Sequence, residues 1–143
     1  MVFQRPIKGL STLALFACMM TAGSTTLHAT AVDNSIHEKA CSVTVGQRTV
    51  TLNIEPKPVK HMKELTFNVT VTPCDKLPET LLLDLSMPGM QMGKNQVTLV
   101  KKSNCLYEGK GIIVRCMSGR TLWQATVLSD TLNNPAFTFN VRE

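Results

Sequence analysis

The sequence predicts an all-β protein, an immunoglobulin-like antiparallel β-sandwich of about seven to eight strands. Three observations carry this expectation. Apolar and polar residues alternate with period two through most of the chain after Cys41. Turn signals break the alternation at short, regular intervals, and no segment carries a 3.6-residue apolar stripe.

Val43 and Val45 alternate with Ser42 and Thr44, Gly46-Gln47 turns, and Val50, Leu52 and Ile54 alternate with Thr49, Thr51 and Asn53. Pro56 and Pro58 mark residues 55–64 as a loop. The strongest period-two run follows, with Leu65, Phe67, Val69 and Val71 on one face and Thr66, Asn68, Thr70 and Thr72 on the other. A loop over 73–79 leads into a strand over 80–85, and Val97 and Leu99 alternate within the next one. Ser103-Asn104 turns into a strand over 106–115, where Gly109 and Gly111 signal a bulge or a close approach of backbones. Residues 117–120 turn, Trp123, Ala125 and Val127 share one face of a strand, and 128–135 is a polar loop. Phe137, Phe139 and Val141 form the last edge, and Trp123 is expected in the core.

The start of the chain reads differently. Arg5 and Lys8 precede a short apolar run, and Ala29-Thr30-Ala31 offers a small-x-small cleavage site, so residues 1–31 read as a secretory signal peptide. The run is too short to span a membrane. Leu15-Phe16-Ala17-Cys18 is a weak lipoprotein-like box, so lipid anchoring at Cys18 is the alternative to a soluble product. Residues 32–40 are polar and aperiodic, a flexible lead-in, and 41–143 make one domain with one core. Beyond the leader, thirteen basic residues face ten acidic ones with no long basic run and few aromatics. Nucleic-acid binding is not indicated, and no second apolar segment suits a membrane span.

Export makes the periplasm, or another extracytoplasmic space, the expected location. It also makes Cys41, Cys74, Cys105 and Cys116 candidates for two disulfides. If successive strands reverse direction, Cys74 and Cys105 meet at one end of the sandwich and Cys41 and Cys116 at the other. Of the three connectivities, this topology selects Cys41–Cys116 and Cys74–Cys105.

The same topology gathers chemistry at the Cys41 end. Ser86-Met87-Pro88-Gly89-Met90-Gln91-Met92-Gly93 places three thioethers within six residues at a turn between strands. A core uses methionine as a gap-filler, but clustering methionines on a loop suits the soft ion Cu(I). Met117 and the pair His61-Met62 fall at the same end. Met87, Met90 and Met92 are therefore the candidate metal ligands, with Met117 and His61 as completers. Zinc is disfavoured, because thioethers bind it poorly. No Ser-His-Asp order, carboxylate pair or phosphate loop can be assembled, so the chain does not read as an enzyme.

Asp84-Leu85-Ser86-Met87-Pro88-Gly89-Met90-Gln91-Met92-Gly93-Lys94-Asn95 resembles the signature of the YtkA-like/FixH-like periplasmic domain family. The likeness continues through Tyr107-Glu108-Gly109-Lys110-Gly111, Cys116-Met117-Ser118-Gly119 and Trp123-Gln124-Ala125-Thr126-Val127. Glu55-Pro56-Lys57-Pro58-Val59 fits the family's opening, and a CopC-like β-sandwich is a more distant likeness. The resemblance implies a small extracytoplasmic β-sandwich that handles copper, carries the motif methionines over as Met87, Met90 and Met92, and connects such proteins with metallation of respiratory oxidases. The chain departs from FixH-type proteins in lacking their membrane anchor.

The sequence thus reads as an exported copper-binding accessory protein, with Cu(I) as ligand and a periplasmic or membrane-bound metalloprotein as partner. The alternative is a metal-free interaction module that offers the same methionines to a partner protein.

Overall fold

The computed structural model describes residues 31–143; the expected leader, with Cys18, lies outside them except for Ala31. Eight strands follow in order: β1 (Cys41–Val45), β2 (Arg48–Glu55), β3 (Glu64–Thr72), β4 (Thr80–Ser86), β5 (Gln96–Ser103), β6 (Leu106–Ile112), β7 (Leu122–Leu128) and β8 (Ala136–Asn140). All pairings are antiparallel, in the spatial order β1-β2-β3-β6-β5-β4-β7-β8. The hairpins β4-β5-β6 form a meander, with β7 returning beside β4 and β3 lying beside β6. These are two overlapping Greek keys.

The all-β antiparallel class is the one the alternation predicts. The strands share one continuous sheet, which folds over until the free edges β1 and β8 approach each other and nearly close it. Alternation decides which face turns inward, since side chains point to opposite sides at each step. Val50, Leu52 and Ile54 of β2, Leu65, Phe67, Val69 and Val71 of β3, and Leu81, Leu83 and Leu85 of β4 are buried together. Val97, Leu99, Trp123, Ala125, Val127, Phe137 and Phe139 complete the same core. Trp123 is fully buried, as expected.

Gly109 and Gly111 answer to close approach. A Cβ on Gly109 would run into the Thr98 carbonyl and the Val97 side chain, and one on Gly111 would strike Val97. The irregularity in this pair lies on β5, where the register shifts between Lys101 and Ser103.

Two expected boundaries change. β6 stops at Ile112 instead of reaching Arg115, because its partner β3 begins at Glu64, opposite Ile112. Past that point no strand offers hydrogen bonds. The segment 32–40, expected to be a flexible lead-in, is packed. Asp33 caps a 3-10 turn, Asn34–His37, and buries Ile36 and His37. The imidazole of His37 donates from Nε2 to the Asn140 carbonyl at 2.7 Å and accepts from the Val59 amide at 3.0 Å. Lys57 Nζ donates to the Ile36 carbonyl at 3.0 Å.

Candidate functional site

Strand directions alternate along the chain, so the loops 56–63, 87–95 and 113–121 and the carboxyl terminus all emerge at one end. Backbone hydrogen bonds knit them together. Met62 N–H donates to the Ile113 carbonyl at 2.9 Å, and His61 N–H to the Arg142 carbonyl at 3.1 Å. Asn95 reaches the Ile112 carbonyl at 3.4 Å through its side-chain amide, tying the methionine loop to the end of β6.

Within that loop, Pro88 and Gly89 make the turn. Met90 N–H bonds to the Met87 carbonyl at 3.1 Å, and Gly89 at the third position has φ of +77°. Proline followed by a positive-φ glycine is the signature of a type II turn. The second loop also makes a tight turn, with Gly119 N–H on the Cys116 carbonyl at 3.0 Å, but here the positive-φ glycine, Gly119 at φ +74°, is the fourth residue.

The structure separates the candidate sulfurs. Met87 points inward, 4% exposed, and belongs to the hydrophobic core. It is a packing residue in this structure, because it continues the inward alternation of Leu81, Leu83 and Leu85. Met90 is 37% exposed, and Met92 is half-buried against the core. Met90 and Met92 line one open cleft of about 430 Å³ together with Gln91, Asp84 and Lys94. Met117 stands fully in solvent. His61 is 8% exposed, and neither ring nitrogen has a hydrogen-bond partner. Burial holds its pKa below the ordinary histidine value, and the neighbouring Arg115 adds to the shift.

The cysteines divide. Cys74 and Cys105 form the expected disulfide, with Cα atoms 5.1 Å apart. The expected Cys41–Cys116 bridge is absent, and both thiols are free. They do share an end, but β2 and β3 lie between β1 and β6 in the sheet. Cys41 opens β1, whereas Cys116 lies beyond the end of β6 on the 113–121 loop, where its Sγ faces Met90 and Ser118. Cys41 is buried, with Sγ 3.4 Å from Ser35 Oγ, and burial raises its pKa.

Cys116 is the residue that sequence reasoning missed as a functional candidate. Its Sγ lies 4.0 Å from Met90 Sδ and 2.9 Å from Ser118 Oγ. Hydrogen bonds from the side chain and backbone of Ser118 draw its pKa below the ordinary thiol value. The signal was present in Cys116-Met117-Ser118-Gly119, a turn at the methionine end, but an even cysteine count pointed to a second bridge.

Chemically, this end of the fold offers soft sulfur from two loops and one unpartnered imidazole. Among the described residues, no group of three His, Cys, Asp or Glu side chains is arranged to hold a metal ion. A metal here would have to accept thioethers, which suits Cu(I) and not zinc or the hard cations.

Fold and site together define a small antiparallel β domain with a sulfur-rich end. Comparison with protein-family models, curated proteins and solved structures found no match. Among the described residues no helix is long and apolar enough to cross a membrane, and the disulfide is compatible with an extracytoplasmic location.

Proposed function

We propose that this protein is an exported, periplasmic copper-handling accessory protein that holds Cu(I) at the methionine end of the domain. The observation that carries the reading is the convergence of the methionine loop on the Cys116 loop, with Met90 and Met92 lining one cleft. The resemblance of the loop motif to YtkA-like/FixH-like domains supports the same reading. It also supports delivery of copper to a periplasmic or membrane-bound metalloprotein such as a respiratory oxidase.

Met90 and Met92 are the thioether ligands of this site, and His61 is the candidate nitrogen donor at the same end of the fold. Thioethers are neutral and have no proton to displace, so their own bonds to Cu(I) form and break without a protonation step. That behaviour suits a carrier.

The competing reading is a metal-free interaction module. It draws on the exposure of Met62, Met90 and Met117, flexible apolar side chains that adapt to a partner surface. Cu(I) titration against a competing chelator, with wild type beside Met90→Leu/Met92→Leu, separates the two. Copper binding that the double variant loses supports the carrier; equally weak binding by both proteins leaves the interaction module.

A further inference from the structure

We infer that Cys116 is the anionic ligand of this copper site, paired with Met90 across the two loops. The inference rests on the copper reading above and adds to it a residue that a thioether site does not require.

Distance is the first argument. Two metal–sulfur bonds of about 2.3 Å meeting at about 120° hold their sulfurs about 4.0 Å apart. Cys116 Sγ and Met90 Sδ are 4.0 Å apart. A trigonal ion could therefore bridge them without backbone movement. Each sulfur sits beside a tight turn closed by a backbone hydrogen bond, Met87 to Met90 on one side and Cys116 to Gly119 on the other. The backbone beside each sulfur is thus held in a tight turn, and the flexible Met90 side chain can adjust to a bound ion.

Charge is the second argument. A site of thioethers alone brings no charge of its own to offset that of Cu(I), and the one carboxylate lining the Met90–Met92 cleft, Asp84, shares it with the ammonium of Lys94. Moving a cation out of water without a counter-charge is costly. A thiolate removes that cost and is also the softest ligand available to the site. Ser118 Oγ, at 2.9 Å, is placed to donate a hydrogen bond to the sulfur and orient it.

The contrast with Cys41 makes the assignment specific. Both cysteines are free, but Cys41 is packed into the core against Ser35, whereas Cys116 is half-exposed and faces a methionine. The same end also holds His61, more than nine-tenths buried with both ring nitrogens unpartnered, on a loop bonded to Ile113 three residues before Cys116. Met92 lines a cleft with Met90 and is the candidate for the third position. On loading, the thiol proton passes to water, a copper–sulfur bond forms in its place, and no electrons are transferred.

The test uses the full chain with its Cys74–Cys105 bridge intact, titrated anaerobically with Cu(I) held by bicinchoninate. Wild type is expected to show a thiolate-to-copper ultraviolet band. Cys116→Ser is expected to lose that band together with more affinity than the roughly 10- to 100-fold typical of an outer-sphere change. In wild type, bound Cu(I) should also protect Cys116 from iodoacetamide, read by peptide mass, so the result does not depend on the folding of a variant. Wild-type binding with Cys116→Ser equally tight and Cys116 still alkylated would overturn the inference and leave the thioether site standing. Failure of wild type to bind Cu(I) at all would overturn the copper reading itself, and this inference with it.

Discussion

Tyr107 donates its hydroxyl to the Pro78 carbonyl at 2.6 Å, joining β6 to the loop that carries Cys74. The ring is fully buried, so this bond closes the end of the fold opposite the methionines. Tyr107→Phe keeps the ring and deletes the bond, at an expected cost of about 1–2 kcal/mol in urea unfolding. Burial raises the Tyr107 pKa, and Glu79 adds to the shift, so the folded state favours the neutral phenol. The stabilisation is complete below the unfolded phenol value of about 10 and is lost as pH rises through the higher folded value. The stability gap between wild type and Tyr107→Phe should therefore close above about pH 10.

The Cys74–Cys105 bridge sits at the same end and closes a span of 31 residues. Loop-closure entropy for that span amounts to about 3–4 kcal/mol, a large share of the stability of a domain this size. Cys74→Ala/Cys105→Ala should lower the urea midpoint accordingly. Dithiothreitol should lower the wild-type midpoint and leave the double variant where it is.

Gly109 and Gly111 face Val97 and the Thr98 carbonyl with no room for a methyl group. Gly109→Ala should cost about 1–3 kcal/mol through overpacking at the β5–β6 contact. Gly93 has open space around its Cα, so Gly93→Ala should be close to neutral in the same thermal melt. A similar loss in both variants would contradict the close approach as the cause, since unfolded-chain entropy alone favours alanine over glycine.

Lys57 anchors the amino-terminal segment. Its ammonium donates to Asn53 Oδ1 at 2.8 Å and to the Ile54 and Ile36 carbonyls, each at 3.0 Å. Lys57→Met keeps the apolar stem and removes all three bonds. Hydrogen bonds from a charged donor contribute about 1.5–3 kcal/mol each when counted singly, and shared solvation keeps the sum well below additive. A loss of about 2–3 kcal/mol is expected. Amide exchange should accelerate at Glu38 and Lys39, whose N–H groups bond to the Ser35 carbonyl.

The strands were legible because alternation is a direct consequence of a sheet with one buried face, and β3 shows it most cleanly in Leu65, Phe67, Val69 and Val71. Strand direction was legible too, since short connections reverse the chain, and it placed Cys74 beside Cys105. Lateral order was not. Nothing in the period-two pattern says that β3 pairs with β6, and this is why Cys41 and Cys116 share an end without meeting. The inward turn of Met87 follows the parity of β4, which the loop-like motif Met-Pro-Gly-Met obscured. The packing of 32–40 depends on one apolar residue, Ile36, and on hydrogen bonds to residues distant in sequence, neither of which leaves a periodic trace.

The most direct test of the copper site is a methionine methyl NMR titration of the full chain with Cu(I), a diamagnetic ion. The account predicts that the Met90 and Met92 methyl resonances move together and stop moving at stoichiometric copper. Met62, exposed on the neighbouring loop, should stay in place as the internal control. Unmoved Met90 and Met92 resonances, or one small drift shared by every methionine, would contradict a copper site at this end of the fold.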